Sequence, residues 1–339
     1  MNSRNPFAVN KAPYQSRNYG GNFSGAFSKK GSFFVDFERR SVDDLAVINA
    51  SVLDSNFNIV PFSQSIQSPL TRTSFSPRID YQINDTNYLT ARYSFNKTTD
   101  ENNGIGGFSL ASRAYNTNST EHSFQLTETA VINKSIINET RFQFLSRKSE
   151  NSGSDSTSPT IQVLDAFTSG GSSVGNTGST TNRWELSNNT SWTLGNHSLK
   201  IGARLRGISL NDVSENNFAG TYTFTSLDQY RNVLQGVAGA TPTQFTITAG
   251  NAEAKIKQID FSTFVQDDWR VRPNLTMSFG MRYEAQTNVK NNINFAPRFG
   301  FAWSPDYKDG KNGKTVIRAG FGVFFDRVGE SLSLRADRY

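Results

Sequence analysis

The sequence predicts an all-β chain, an antiparallel transmembrane β-barrel fold with about twelve strands. Three observations carry that expectation. Apolar and polar residues alternate over long runs, which gives each strand two unlike faces. The runs approach the about 9–11 residues needed to cross an outer membrane, against about 5–6 for an ordinary strand. Short turns also trade places with long polar connections, as in barrels whose two rims differ.

Composition agrees. Only 35% of the 339 residues are hydrophobic and mean hydropathy is −0.53, yet 12% are aromatic, with 27 Phe and 11 Tyr. A disordered chain would be poor in aromatics, whereas a two-faced sheet needs apolar residues only at alternate positions. No apolar run reaches the about 18 residues of a membrane helix, and residues 1–19 show no apolar signal-peptide core. Cysteine is absent, which excludes disulfides and thiolate metal sites. The net charge of +6 is spread singly along the strands, so no basic patch for nucleic acid is expected.

In order, residues 22–28 and 32–40 read as a hairpin about Lys29-Lys30-Gly31. Residues 41–70 form a connector, with a short helix or strand at 42–53 and Pro61 and Pro69 marking loop. Next, Thr73, Phe75, Pro77, Ile79, Tyr81 and Ile83 share one face against Arg72, Ser74, Arg78, Asp80 and Gln82. A turn at 84–86 leads to Leu89, Ala91, Tyr93 and Phe95, opposite Thr90, Arg92, Ser94 and Asn96. After the loop 98–118, Phe124, Leu126, Ala130 and Ile132 line up, with Glu128 intruding in their row. The turn 133–135 returns the chain through Ile136, Thr140, Phe142 and Phe144, against Glu139, Arg141 and Gln143.

Residues 149–180, rich in Ser, Gly, Thr and Asn, predict an exposed loop with an apolar island at 161–167. Trp184, Leu186, Thr190, Trp192 and Leu194 then run to the turn 194–196, and Leu199, Ile201, Ala203 and Leu205 come back opposite Lys200, Arg204 and Arg206. The longest connector, 211–254, holds a helical spacing at Leu227, Tyr230, Val233 and Leu234. The stretch 259–327 is clearest: two hairpins with turns at 272–274 and 308–314.

From these alternations Leu275, Met277, Phe279, Met281, Phe299, Phe301, Phe321 and Val323 are expected to face lipid. Arg78, Arg92, Arg141, Arg204, Arg206, Arg282, Glu284, Arg298, Arg318 and Asp326 are expected to face a polar lumen. Trp269, Tyr283, Trp303 and Phe325 are expected at the membrane interfaces. No catalytic, cofactor or metal site is expected. His122 and His197 lack a second ligand at metal spacing. The glycines of 104–107 lack the spacing of a phosphate loop. Asp267 and Asp268 are strand neighbours that point to opposite faces.

The wording of 264–284 (FVQDDWRVRPNLTMSFGMRYE), 294–305 (NFAPRFGFAWSP) and 314–327 (KTVIRAGFGVFFDR) resembles TonB-dependent outer-membrane receptors, in particular the Oar-like barrels. The resemblance implies a barrel of about 22 strands in outer-membrane lipid, an N-terminal plug, and energy from the TonB complex. On that plan residues 1–339 are a partial barrel domain. The plug, signal peptide and closing strands are expected elsewhere, since an open wall leaves unpaired edges in lipid. The function implied is energised uptake of a large solute (carbohydrate, siderophore or peptide), captured by loops 98–118, 149–180 and 211–255. The alternatives are a passive porin or adhesive surface barrel, and a soluble secreted polysaccharide-binding β-protein.

Overall fold

The computed structural model describes residues 14–172, 174–308 and 313–338. Its first strands are β1 (Gln15–Ser28), β2 (Gly31–Asp43), β3 (Leu45–Leu53), β4 (Ile59–Gln67), β5 (Leu70–Asn84) and β6 (Asn87–Asn103). Then come a 3₁₀ turn (Ala111–Arg113), β7 (Tyr115–Asn133), β8 (Ile136–Gly153), β9 (Thr160–Val163), β10 (Phe167–Gly170), β11 (Asn176–Leu194) and β12 (His197–Ser214). The remainder is β13 (Thr221–Phe224), α1 (Leu227–Leu234), β14 (Gln244–Thr246), β15 (Glu253–Arg272), β16 (Leu275–Gln286), β17 (Phe295–Trp303), β18 (Ile317–Gly322) and α2 (Glu330–Arg338).

Twelve of these strands make one sheet in the order β1-β2-β5-β6-β7-β8-β11-β12-β15-β16-β17-β18. Successive neighbours are antiparallel, so the wall is a meander. The tight turns follow from local side chains. Asn84 accepts from the Thr86 amide at 2.9 Å and Asn133 from the Ser135 amide at 2.8 Å, both Asx-type turns. Gly195 supplies a φ of 58° at the β11–β12 turn. The turn expected at 308–314 includes residues 309–312, which lie outside the described residues.

Strands run further than the alternation suggests. Of the expected loop 98–118, β6 takes the start and β7 the end; β8 and β11 shorten 149–180, and β12 and β15 shorten 211–255. Beyond the membrane both faces of a strand meet water, so the ladder continues through Asn, Ser and Thr after the apolar period has vanished. Residues 45–53 form strand rather than helix, paired with β4, where Pro61 sits opposite Ser51 in a two-stranded sheet. An edge position tolerates proline because no further strand needs its missing donor.

The hydrophobic residues are arranged inside-out. Wall aromatics are exposed, Phe23 at 70% and Phe321 at 72%, while the main buried cluster is Ile48, Ala50, Val163, Ala166, Phe167 and Phe224, all in the long connections. Those connections build a cap on one rim: a four-stranded sheet ordered β10-β9-β13-β14, the β3–β4 hairpin, the 3₁₀ turn and α1. The helix starts where the N-cap Ser226 accepts from the Gln229 amide at 3.2 Å, and the Gln229 side chain accepts from the Thr225 amide just before the cap at 2.8 Å. Tyr230 meets Phe224 and Phe167 edge-on, with centroids 5.1 and 5.6 Å apart. Leu234, expected on the same apolar stripe, is instead exposed.

One boundary corrects the sequence reading. β18 ends at Gly322, so Val323, Phe325 and Asp326 lie past the last strand and the alternation does not assign them a face. The Val323 amide still donates to Pro297 at 2.9 Å. Phe324 then covers Arg298, whose guanidinium carbon lies 4.5 Å from the ring centroid, and the chain turns toward α2.

Candidate functional site

Strand register sorts the wall into two faces. On the apolar face, Leu275, Met277, Phe279 and Met281 lie opposite Trp303, Phe301, Phe299 and Pro297. Phe299 and Phe301 in turn oppose Phe321 and Ala319. Aromatics mark both ends of this face. Trp269 lies opposite His197 and Met277 near the short turns, and Trp303 opposite Leu275 and Ile317. Tyr283 lies at the other end, with Phe295 at 5.0 Å and Phe261 at 6.4 Å. Trp184 lies against the bare backbone of Gly207, where a Cβ would come within 2.3 Å of the indole nitrogen.

The apolar face is not purely apolar. Asn138 and Asn188 exchange side-chain hydrogen bonds at 3.1 and 3.0 Å, and Thr190 and Thr140 accept at 2.7 and 2.8 Å. Glu128 lies beside this group, opposite Leu89 and Thr140. His197 Nδ1 is 2.7 Å from Asp267 and its ring stacks on Trp269 at 5.3 Å. Asp268 turns the other way, to Ser278 at 2.6 Å, so the two neighbouring carboxylates do not converge.

The opposite face carries the charges. Arg78 donates to Asp80 at 2.8 Å, Thr90 joins that carboxylate at 2.8 Å, and Arg92 sits across from Arg78. Arg141 pairs with Glu139 at 2.9 Å. Arg204 lies between Ser187 and Ser262, and Arg318 opposite Ala302. Arg282 approaches Glu284 at 3.4 Å while covering Phe264 at 5.5 Å. Ladder geometry makes such pairs: residues two apart on a strand share a face.

The densest charge cluster sits where α2 meets β12 and β15. Arg206, buried, contacts Asp260 at 2.9 Å and Glu330 at 2.7 Å; Arg327 reaches Asp260 at 3.4 Å and Arg183 reaches Glu330 at 3.5 Å. Gln258 and Gln286 donate to Asp260 at 2.7 and 3.0 Å, filling its remaining acceptor sites. Arg338 fixes the far end of α2 to Asp212 at 2.6 Å. Arg206 was legible from its strand. Asp260 could have been found as the next member of the row 260, 262, 264, 266, 268. Glu330 carried no sequence signal, because nothing local says that α2 folds back on β15.

Among the described residues no group of three or more His, Cys, Asp or Glu side chains is placed to hold a metal ion. His122 faces Tyr93, whose hydroxyl is 2.7 Å from Nδ1, and the Phe95 ring.

A family model described as "Outer membrane beta barrel domain" matches residues 46–294 and 287–338. No curated protein sequence matches. Among solved structures the fold is similar to the outer membrane transporter YddB from Escherichia coli, with TM-score 0.57 and 12% identity over 87% of this chain and 37% of that one. It is similar to the siderophore receptor PirA from Pseudomonas aeruginosa, with TM-score 0.52 and 12% identity over 93% and 40%. A mutant of the ferric enterobactin receptor PfeA from the same organism gives TM-score 0.55 and 11% identity over 93% and 42%. The chain thus spans about two-fifths of the length of these structures.

Proposed function

Since the chain belongs to the outer membrane beta barrel domain family, we propose that residues 1–339 form part of the barrel domain of a receptor that takes up a large solute with energy from TonB. The protein resides in the outer membrane and resembles TonB-dependent receptors. The observation that carries the uptake reading is the pairing of a two-faced wall with a folded cap over its long-connection rim. Apolar side chains turned to lipid need no partner, whereas a charged inner face and a structured cap suit a solute that must be captured and then passed inward.

In this reading Leu275, Met277, Phe279, Met281, Phe299, Phe301 and Phe321 contact lipid, with Trp269, Tyr283 and Trp303 at its interfaces. Arg78, Arg92, Arg141, Arg204, Arg206, Arg282, Glu284, Arg298 and Arg318 line the lumen, where a plug would sit. The solute is a carbohydrate, siderophore or peptide, and the wording of 264–327 favours an Oar-like member. The wall is a scaffold and carries no catalytic role. Cells expressing the full-length protein should accumulate labelled solute from dilute solution, and a protonophore that collapses the inner-membrane gradient should abolish this. Entry indifferent to the protonophore would replace the reading with a passive porin.

A further inference from the structure

Among the described residues, the cap contains a buried cation with no ion-pair partner. Arg113, on the 3₁₀ turn, is 9% exposed. Its Nη1 donates to the Thr160 hydroxyl and to the Gly171 carbonyl, both neutral acceptors. Nε is buried without a partner, and Nη2 makes no hydrogen bond to any described residue. Arg113 forms no ion pair with a described residue, by the criterion of 4.0 Å between nitrogen and carboxylate oxygen. Taking a guanidinium out of water without an anion costs several kcal/mol, and a guanidinium offers five donors in a planar fork suited to a carboxylate.

Arg113 also lines a cavity of about 240 Å³ between the β8–β11 and β12–β15 connections. Ser156, Ser158, Thr160 and Ser172 add to the wall, and Glu215 brings a negative charge to it. The neighbouring backbone of the same connection is closely packed. A Cβ on Gly170 would meet the Pro159 carbonyl oxygen at 2.0 Å, and one on Gly171 the Ser158 carbonyl oxygen at 2.2 Å. The hollow thus combines a buried cation and hydroxyl side chains with an apolar part at Phe218 and Ala219.

We infer that this hollow binds the carboxylate of a small hydroxylated group, such as a sugar acid, at Arg113. The carboxylate accepts from Nη2 of Arg113, and the ligand's hydroxyls meet the serines of the wall. The volume is below the about 300–1,000 Å³ of drug-sized sites, so one sugar-sized unit enters, alone or as the end of a longer chain. Glu215 on the wall disfavours a dianion, which selects a monocarboxylate over sulfate. Burial also disfavours the charged form of Arg113, an effect that a bound anion offsets. This inference names the solute class of the uptake reading and rests on it only for the solute's fate, not for binding.

Calorimetric titration of the full-length protein in detergent tests it, with D-glucuronate, D-glucose and inorganic sulfate as probes. Glucuronate should bind at least about tenfold more tightly than glucose or sulfate, the scale of one charged hydrogen-bonding pair. Arg113→Gln should erase that preference. Should Arg113→Gln fail to fold, Glu215→Gln serves instead: it should tighten glucuronate and admit sulfate. Glucuronate binding no better than glucose, or unaltered affinities in the variant that folds, would overturn the site. Binding without protonophore-sensitive uptake leaves the site standing and removes the transport reading; uptake insensitive to Arg113→Gln, with no glucuronate binding, removes the site alone.

Discussion

A charge placed on the apolar face measures directly whether that face meets lipid, and Phe299 is the position to use. It lies four residues from Trp303 in β17, flanked by Phe279 (ring centroids 5.4 Å apart) and Phe321. At about 3.4 Å per residue and a tilt of about 40°, it stands roughly 10 Å above the row of Trp303, Leu275 and Ile317. That is near the middle of an apolar band about 25 Å tall, where arginine costs about 2–4 kcal/mol. The ring pair adds about 0.5–1.5 kcal/mol to what Phe299→Arg removes. Phe279→Arg sits at the same height but faces Asp267 across the β15–β16 ladder, so the new charge gains a partner there. The expected order of destabilisation is therefore Phe299→Arg above Phe279→Arg. Ser262→Arg, on the polar face between Glu284 and Arg204, should stay within about 1 kcal/mol of wild type. The assay is denaturant unfolding of the full-length protein in lipid vesicles. A Phe299→Arg protein as stable as Ser262→Arg would refute the orientation of the wall.

Further outcomes follow from the charge cluster and the cap. Arg206→Met leaves Asp260 with the more distant Arg327 and Glu330 with Arg183, so it should cost about 1–3 kcal/mol and expose residues 323–338 to protease; unchanged cleavage would show that α2 is held by other contacts. Ser226→Ala removes the N-cap of α1, so amide exchange at Gln229 should quicken by the equivalent of about 1 kcal/mol. Asp155 anchors the loop beneath the Arg113 cavity, and hydrogen bonds from the Ser158 hydroxyl and from the Ser158 and Thr157 amides lower its pKa to about 2. A lowered pKa contributes order above the ordinary value of 3.8 that is lost as pH falls toward about 2. The amide shifts of Thr157 and Ser158 should accordingly titrate near pH 2, and a midpoint near 3.8 would contradict the loop geometry.

What the sequence determined by itself was the wall. Alternation is a local property of a strand, so the common face of Leu275, Met277, Phe279 and Met281 was readable from period two alone. Short turns were readable too, since Asn84, Asn133 and Gly195 carry their own local geometry. The tertiary structure decided everything that joins distant segments. The cap core brings Ile48, Val163, Phe167 and Phe224 together from three separate connections, whose apolar segments do not show in sequence that they pack on one another. Glu330 reaches Arg206 across 124 positions, and Arg113 meets Thr160 and Gly171 from another loop. Polar residues in water-exposed connections obey no period, so their partners are set by packing and by the balance of buried charge. Val323, Phe325 and Asp326 mark the border: the alternation continues through them in sequence, but the last strand ends at Gly322, and the chain beyond it is tied at Arg327 to Asp260 and at Glu330 to Arg206.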